Sequence, residues 1–254
     1  MKYEDSASLC HGTITRVNRP RVLLVHGSVV GAAATWARQR PLADKFELVV
    51  PDRRSFPPNP PLDRVDFEDE AAWLEDWIEP ATHLVGHSYG GVISLLAAAL
   101  RPDDLRSLTV VEPPAFGVAR GDPVVDEFVA RGAAHWRESS RDPEAFLRGF
   151  LDWVGASQPP GRLTPALLQG AQTLMVERAP WEAEIPFEAL AAAPFPKLVV
   201  SGAHNPAFEA VADVLEHGLG AQRAVLPGAG HSVQRLGKPF NELLAAFIRH
   251  AERA

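Results

Sequence analysis

The segment Thr82-His83-Leu84-Val85-Gly86-His87-Ser88-Tyr89-Gly90-Gly91 is followed by an alanine- and leucine-rich run that ends at Leu100. An apolar run precedes the motif Gly-x-Ser-x-Gly, and residues that strongly favour helices follow it. This order predicts a strand, a sharp turn and a helix. Gly86 and Gly90 have no Cβ, so the strand and the helix can approach each other closely. Such a turn strains the backbone of Ser88 and exposes its hydroxyl at the carboxyl end of the strand.

Composition narrows the class of protein. The chain has 254 residues, of which 46% are hydrophobic and 22% charged, as in an ordinary globular protein. Its net charge of -7 disfavours nucleic acid or an anionic membrane surface as a partner. The single cysteine, Cys10, cannot form an internal disulfide, and no apolar run approaches the ~18 residues of a membrane helix. With no secretory signal at the start, we expect a cytoplasmic monomer or homodimer that acts on a small molecule.

Short apolar runs alternate with helical patterns on both sides of this segment. Besides the strand before Ser88, strands are predicted at 13–17, 21–25, 46–50, 108–111, 197–200 and 224–226. Besides the helix after Ser88, helices are predicted at 35–43, 67–78, 206–219 and 239–251. Alternating strands and helices indicate an α/β fold, with a mostly parallel central sheet and helices on both faces.

The alternation stops between residues 113 and 196. Helical patterns appear there instead, at about 124–139, 143–154, 165–178 and 181–193, and Pro and Gly separate them. The sequence therefore predicts a core unit made of 1–112 and 197–254, with a helical insertion at 113–196.

Polar residues follow several of the predicted strands. They are His26, Asp52, Ser88, Glu112, His204 with Asn205, and His231. Parallel sheets bind ligands at the carboxyl ends of their strands. A serine hydroxyl is a weak nucleophile and needs a base within hydrogen-bond reach. His231 lies in a glycine-rich loop after the last strand, and an imidazole titrates near neutral pH, so we interpret it as the base.

With the Gly-x-Ser-x-Gly turn, His26-Gly27 after an early strand and Gly230-His231 near the end, the chain resembles the α/β-hydrolase superfamily over roughly residues 10–252. The resemblance implies the α/β-hydrolase fold, with 113–196 as a helical cap over the active site. It also implies that Ser88 is the nucleophile and His231 the base.

The resemblance further implies an oxyanion hole made of two backbone N–H groups. These belong to Tyr89, after the nucleophile, and to Ser28, with Val29 as the alternative. Apolar and aromatic residues of the insertion predict a largely apolar pocket. Substrate contacts are expected from His26, Val29, Trp136 and Trp153.

The acid partner of the histidine departs from the usual pattern of the superfamily. Most members carry Asp in a Gly-x-x-Asp loop, where this chain has Asn205. An amide accepts a hydrogen bond but carries no charge to stabilise an imidazolium. Some branches instead place the acid just before the cap, where this chain has Glu112. The order Ser88, Glu112, His231 fits the superfamily, so we predict Glu112 as the acid.

These residues predict a serine hydrolase that cleaves a small to medium, largely apolar carboxylic ester, thioester or lactone through an acyl-enzyme. C–C bond hydrolysis, perhydrolysis and acyl transfer are alternatives on the same site. A ligand-binding pseudo-hydrolase is a further alternative, which Asn205 supports. No Cys/His ligand spacing, Gly-x-Gly-x-x-Gly after a strand or Walker loop occurs, so we expect neither a metal nor a cofactor.

Overall fold

One six-stranded parallel sheet organises the chain. The computed structural model describes residues 19–138, 141–228 and 230–253, so Cys10 and the strand predicted at 13–17 lie outside the described residues. The spatial order of the strands is β2-β1-β3-β4-β5-β6, and every neighbouring pair is parallel. The strands are β1 Arg21–Val25, β2 Glu47–Val49, β3 Thr82–His87, β4 Leu105–Val111, β5 Lys197–Ser201 and β6 Gln222–Val225.

Helices connect the strands and cover both faces of the sheet. They are α1 Ala32–Thr35, α2 Phe67–Leu74, α3 Tyr89–Leu100, α4 Pro123–Glu138, α5 Pro143–Trp153, α6 Pro165–Val176, α7 Phe187–Ala192, α8 Pro206–Leu219 and α9 Lys238–Ala251. In the described part of 113–196, helices α4 to α7 are present and no strand of the sheet. We call residues 113–196 the inserted segment. The predicted sheet with helices on both faces is confirmed.

The alternation of side chains along β1 shows why its sequence is continuously apolar. Leu23 and Val25 pack into a core that contains side chains of α2, α3 and α8. Val22 and Leu24 pack on the opposite face, in a core that contains side chains of α9. Because both faces of the strand are buried, neither set of alternating positions tolerates a polar residue.

Three predicted helices differ from the structure. The helix expected at about 181–193 is the 3-10 helix Pro180–Glu182 followed, after Pro186, by the short α7. The helix expected at 35–43 is the short α1 followed by the 3-10 helix Ala37–Asp44, which contains Pro41. Proline cannot donate an amide hydrogen bond, which weakens a regular α-helix at that point. The helix expected at 67–78 is α2, followed by the 3-10 helix Glu75–Trp77. No helix among the described residues is long and apolar enough to cross a membrane.

The turn between β3 and α3 has the strained geometry that its sequence predicts. Ser88 has φ 54° and ψ -128°. A Cβ on Gly86 would overlap the carbonyl of Gly90, and a Cβ on Gly90 would overlap the carbonyls of Val25 and His26. Only glycine fits at these two positions, because backbone atoms of the neighbouring elements fill the space that a side chain needs.

Gly86→Ala tests this close approach. We expect the substitution to lower the free energy of unfolding by about 3 kcal/mol or more, because backbone must move to admit the methyl group. Gly161→Ala is the matched control: its Cβ meets nothing within 4 Å and its φ is 67°, so it costs only about 1 kcal/mol for the left-handed backbone. Urea denaturation followed by circular dichroism measures both. Equal losses would show that the turn has room for a side chain.

Candidate active site

Ser88 and His231 meet at the carboxyl ends of the strands. The Oγ atom of Ser88 lies 2.9 Å from Nε2 of His231. Both residues are buried, with exposed fractions of 8% and 7%. A neutral imidazole at this distance can accept the hydroxyl proton as the oxygen attacks an electrophile. The structure thus brings together two predicted residues that are 143 positions apart in the chain.

Glu112 lies on the far side of the His231 ring. Its Oε2 is 3.4 Å from Nδ1 of His231, and its Oε1 accepts a hydrogen bond of 2.5 Å from the backbone N–H of Gly202. The residue directly follows β4 and is almost fully buried. Catalytic hydrogen bonds are often long without a bound substrate. The order hydroxyl, imidazole, carboxylate is therefore present.

Backbone strain is concentrated around these residues. Four of the non-glycine residues with positive φ lie at this edge of the sheet, namely Val29, Ser88, Glu112 and Ala203. Such conformations persist only where the surrounding structure holds them, and they are common at functional sites. The strain fixes the directions of the side chains that the site uses.

A second imidazole, from His204, also faces Glu112. Its Nδ1 lies 3.4 Å from the same Oε2 that approaches His231. Burial by itself raises the pKa of Glu112, but interactions with His204 and His231 outweigh it and lower the pKa to about 2. Burial lowers the pKa of His204, yet the Glu112 carboxylate outweighs this and raises it above its ordinary value. Glu112 is thus ionised at neutral pH.

The sequence places His204 at the end of a predicted strand but predicts no role for it, because no sequence pattern marks it. Its one signal is its position beside Asn205 in the loop where the superfamily usually carries its acid. Asn205 itself begins α8: its Oδ1 accepts a hydrogen bond of 2.9 Å from the N–H of Ala207. The position of the usual acid therefore serves as a helix cap.

The two predicted oxyanion donors lie beside Ser88. Ser28 and Tyr89 line a small enclosed pocket of about 20 Å³ together with Ser88 and His231. Tyr89 is the first residue of α3, and the first N–H groups of a helix have no partner within it. Val29, the predicted alternative, lines a larger neighbouring cleft.

Aromatic side chains of the inserted segment form the walls of both cavities. Trp136 and Trp153 line the enclosed pocket, as predicted for residues that contact substrate. The larger cleft has a volume of about 650 Å³, and it reaches Ser88 and His231. Phe150 lines both cavities. A ligand carbon chain entering from the cleft would meet a largely apolar surface.

The predicted substrate contact of His26 is wrong. His26 is fully buried, its Nε2 accepts a hydrogen bond from the N–H of Arg53, and its Nδ1 donates to the carbonyl of Gly27. Burial and the neighbouring Arg53 lower its pKa to about 3, so the ring is neutral. His26 fixes the loop that carries Ser28 instead of touching a ligand.

His87 holds the backbone of His231 in place. Its Nε2 donates a hydrogen bond of 2.9 Å to the backbone carbonyl of His231, and burial and His231 lower its pKa to about 3. The sequence predicted no role for this side chain. Its role in holding the His231 loop depends on a contact across 144 residues, which no local pattern reveals.

Arg53 is the centre of a buried ion network next to the enclosed pocket. Its guanidinium donates to Glu70 on α2 and to Glu177 in the inserted segment, both at 3.0 Å, and to the carbonyl of Gly27 at 3.1 Å. Arg53 and Glu70 are fully buried and Glu177 is 5% exposed. Buried charges require partners of this kind, so the network joins the core to the inserted segment.

The second oxygen of Glu177 accepts a hydrogen bond from the hydroxyl of Ser28. The backbone of Glu177 is itself fixed, because it forms a β-bridge with Val65. Burial raises the pKa of Glu177, and Arg53 opposes that rise. A carboxylate from the inserted segment thus holds the residue that carries a predicted oxyanion donor. Its position 149 residues from Ser28 explains why sequence reasoning missed it.

One group of possible metal ligands occurs in the described part of the chain. Ligand atoms of Glu112, His204 and His231 lie within 4.8 Å of one another. Hydrogen bonds to Ser88 and Gly202 already engage His231 and Glu112. The three side chains of this group are the same ones that meet beside Ser88.

Glu177→Ala tests the importance of the ion network. The substitution leaves Arg53 buried with one carboxylate fewer, and removing one partner of a buried pair typically costs about 3–5 kcal/mol. Glu184→Ala, an exposed position in the same segment, should change stability by about 0.5 kcal/mol or less. Urea denaturation of both variants measures the difference. A loss for Glu177→Ala as small as that of the control would contradict the assigned role.

Comparisons with known proteins agree with this geometry. The sequence profile of the alpha/beta hydrolase family matches residues 22–244. Polyketide synthase ThaQ of Burkholderia thailandensis is 30% identical over 259 residues, which cover 92% of this chain and 12% of ThaQ. The chain thus corresponds to a small part of that relative. Serine hydrolase BPHL of Mus musculus is 26% identical over 253 residues, which cover 90% of this chain and 79% of BPHL.

Solved structures share the fold. The crystal structure of an alpha/beta hydrolase from Sphaerobacter thermophilus superimposes with a TM-score of 0.65 and 25% identity, and the match covers 91% of this chain and 93% of that one. The family profile extends over most of the chain, from β1 into α9. The chain therefore belongs to the alpha/beta hydrolase family.

Proposed function

We propose that the protein is a serine hydrolase that cleaves a small to medium, largely apolar carboxylic ester, thioester or lactone. The observation that carries the proposal is the continuous path from the Ser88 hydroxyl, through His231, to the buried Glu112 carboxylate. The mouse relative BPHL is named a serine hydrolase, which is the same class.

The reaction proceeds in two acyl-transfer steps. The Oγ of Ser88 attacks the carbonyl carbon while Nε2 of His231 takes the hydroxyl proton. Backbone N–H groups of Tyr89 and Ser28 stabilise the negative oxygen of the tetrahedral intermediate. The bond to the alcohol or thiol breaks as His231 returns the proton to it. Water, activated by His231, then attacks the acyl-serine and releases the carboxylic acid and free Ser88.

Glu112 orients the imidazole and stabilises the imidazolium that forms in each step. Its lowered pKa keeps it ionised throughout the pH range in which the imidazole works. An amide at Asn205 could not supply this charge, and its oxygen already accepts a hydrogen bond at the start of α8. We therefore assign the acid to Glu112.

The inserted segment acts as a cap over the nucleophile. Its Trp136 and Trp153, together with Val29 of the core, contact the apolar part of the substrate. Glu177 positions Ser28 through its hydroxyl, so the cap contributes to the oxyanion hole as well as to the pocket.

Hydrolysis of a short-chain p-nitrophenyl ester series tests the three assigned residues. Ser88→Ala should abolish enzymatic turnover, and Glu112→Gln should lower kcat by about 10³- to 10⁴-fold, because the imidazolium loses its charged partner. Asn205→Asp should leave kcat within a few-fold, since Asp caps a helix as well as Asn does. Glu112 would be rejected as the acid if Glu112→Gln kept the wild-type kcat and Asn205→Asp, as a separate variant, raised the activity. If the wild-type protein hydrolysed the esters no faster than Ser88→Ala, the result would instead favour a ligand-binding protein.

The pH profile of kcat/KM tests the contact between His204 and Glu112. Below its raised pKa, His204 is a cation that shares the Glu112 carboxylate with His231. In His204→Phe that cation is absent, so the full negative charge of Glu112 acts at the Ser88 site. The acidic limb should therefore move upward by about 0.5 to 1 in pH. His217→Phe, an exposed position on α8, is the control with no shift. An unmoved or lowered limb in His204→Phe would contradict this arrangement.

A further inference from the structure

A surface depression lined by six basic side chains lies next to the active-site cleft. Its volume is about 990 Å³, and α9 and two 3-10 helices, Ala37–Asp44 and Val233–Leu236, form most of its lining. We call it the basic groove, and its basic residues are Arg38, Arg40, Lys45, Arg235, Lys238 and Arg249. These cations come from three separate parts of the sequence, so no run of basic residues in the sequence predicts the groove.

The charge of the groove contrasts with that of the whole molecule. The chain has 32 acidic and 25 basic residues, yet the only acidic side chain lining the groove is Glu242, which pairs with Lys238. Among the described residues, the other five cations form no ion pair. Concentrated cations without counter-charges attract anions and concentrate them locally.

The walls of the groove are held in place by buried amides. The Nε2 of Gln39 donates to the carbonyl of Gln234 at 2.8 Å and to Oδ1 of Asn241 at 2.9 Å. Asn241 in turn donates to the backbone carbonyl of Arg38 at 2.8 Å. These bonds link all three elements, and Gln39 and Gln234 are almost fully buried. The cations therefore project from a fixed frame.

Arg235 connects the basic groove with the active site. Its side chain lines both the groove and the cleft that contains Ser88 and His231. It is four positions after His231 in the chain, which limits the distance between their Cα atoms to about 14 Å. Its positive charge is also one of the causes that lower the pKa of buried His87. An anion in the groove would lie within reach of a substrate bound at Ser88.

We propose that the basic groove binds phosphate carried by the leaving half of the substrate, an acyl ester or thioester of a phosphorylated alcohol or thiol. The assignment rests on the proposed function and names its substrate class. The acyl half enters the apolar pocket under the inserted segment, while the phosphate pairs with guanidinium groups, which match phosphate geometry. Water cleaves the acyl bond, and the products are a carboxylic acid and the phosphorylated alcohol or thiol.

The concave shape favours a phosphate group on a small molecule over the flat surface of a macromolecule. Phosphate binding in the groove should act on the bound substrate and the transition state equally, because the groove does not touch the reacting bond. Loss of phosphate binding should therefore raise KM and leave kcat unchanged. The effect should also weaken as salt screens the charges.

Two matched substrate pairs test the groove. The first pair is hexanoyl-4'-phosphopantetheine and hexanoyl-pantetheine, a thioester with and without a phosphate. The second pair is hexanoylglycerol phosphate and hexanoylglycerol, an oxygen ester with and without phosphate. The phosphorylated member of at least one pair should have a KM about 10- to 100-fold lower, as expected from several exposed charge pairs. The preferred pair tells whether the carrier is a thiol or an alcohol.

The triple variant Arg38→Gln/Arg40→Gln/Lys45→Gln, whose three positions line the groove and not the cleft at Ser88, should remove this preference and leave hydrolysis of p-nitrophenyl hexanoate unchanged. The triple variant Arg120→Gln/Arg131→Gln/Arg162→Gln changes the net charge equally at exposed positions outside the groove, and it should retain the preference. Calorimetric titration of Ser88→Ala with 4'-phosphopantetheine and with glycerol phosphate gives a readout that does not need turnover. Whichever of the two compounds binds Ser88→Ala should no longer bind when the groove substitutions are added to Ser88→Ala.

Equal KM values within both pairs, or a preference that the control triple loses as fully as the groove triple, would overturn the proposal. Hydrolysis of p-nitrophenyl hexanoate in the same assays shows whether the serine hydrolase itself works. If this ester is cleaved and no phosphorylated substrate is preferred, the groove proposal fails while the proposed function stands. If even this ester is not cleaved, and 4'-phosphopantetheine and glycerol phosphate do not bind Ser88→Ala, both proposals fail.

Discussion

The close approach of β3 and α3 at Ser88 is the constraint on which both the fold and the site depend. Glycines at 86 and 90 let the helix begin directly over the ends of the neighbouring strands, against backbone carbonyls of the first strand. The same geometry gives Ser88 its unusual φ and points its hydroxyl at His231. A packing requirement of the sheet thus places the Ser88 hydroxyl beside the imidazole of His231.

Around this turn, the site is held by buried electrostatics. Glu112 accepts a hydrogen bond from one backbone N–H and faces two imidazole rings. Arg53 bridges two carboxylates, and one of them holds Ser28. Each group is costly to bury alone and is stabilised by its partners. The loop that carries Ser28 and the inserted segment are connected through this network, so movement of that segment would disturb Ser28.

The sequence was informative wherever local crowding or periodicity determined the structure. Glycine spacing predicted the turn at Ser88, continuous apolar runs predicted buried parallel strands, and chain order led to His231 and Glu112. It misled at His26, because its position after a strand suggested a ligand contact while burial gives it a structural role. The role of Glu177, the contact of His204 with Glu112 and the basic groove were not predicted, since they depend on contacts between segments far apart in the chain. No residue spacing encodes such distances.

The central claim is that Ser88 is an activated nucleophile, and one measurement addresses it directly. A fluorophosphonate reacts with a serine whose hydroxyl proton a neighbouring base can remove. Intact-mass and peptide-mapping mass spectrometry after such treatment should show one adduct, located on the peptide that contains Ser88. An unmodified protein, or an adduct on another serine with Ser88 unmodified, would contradict the account.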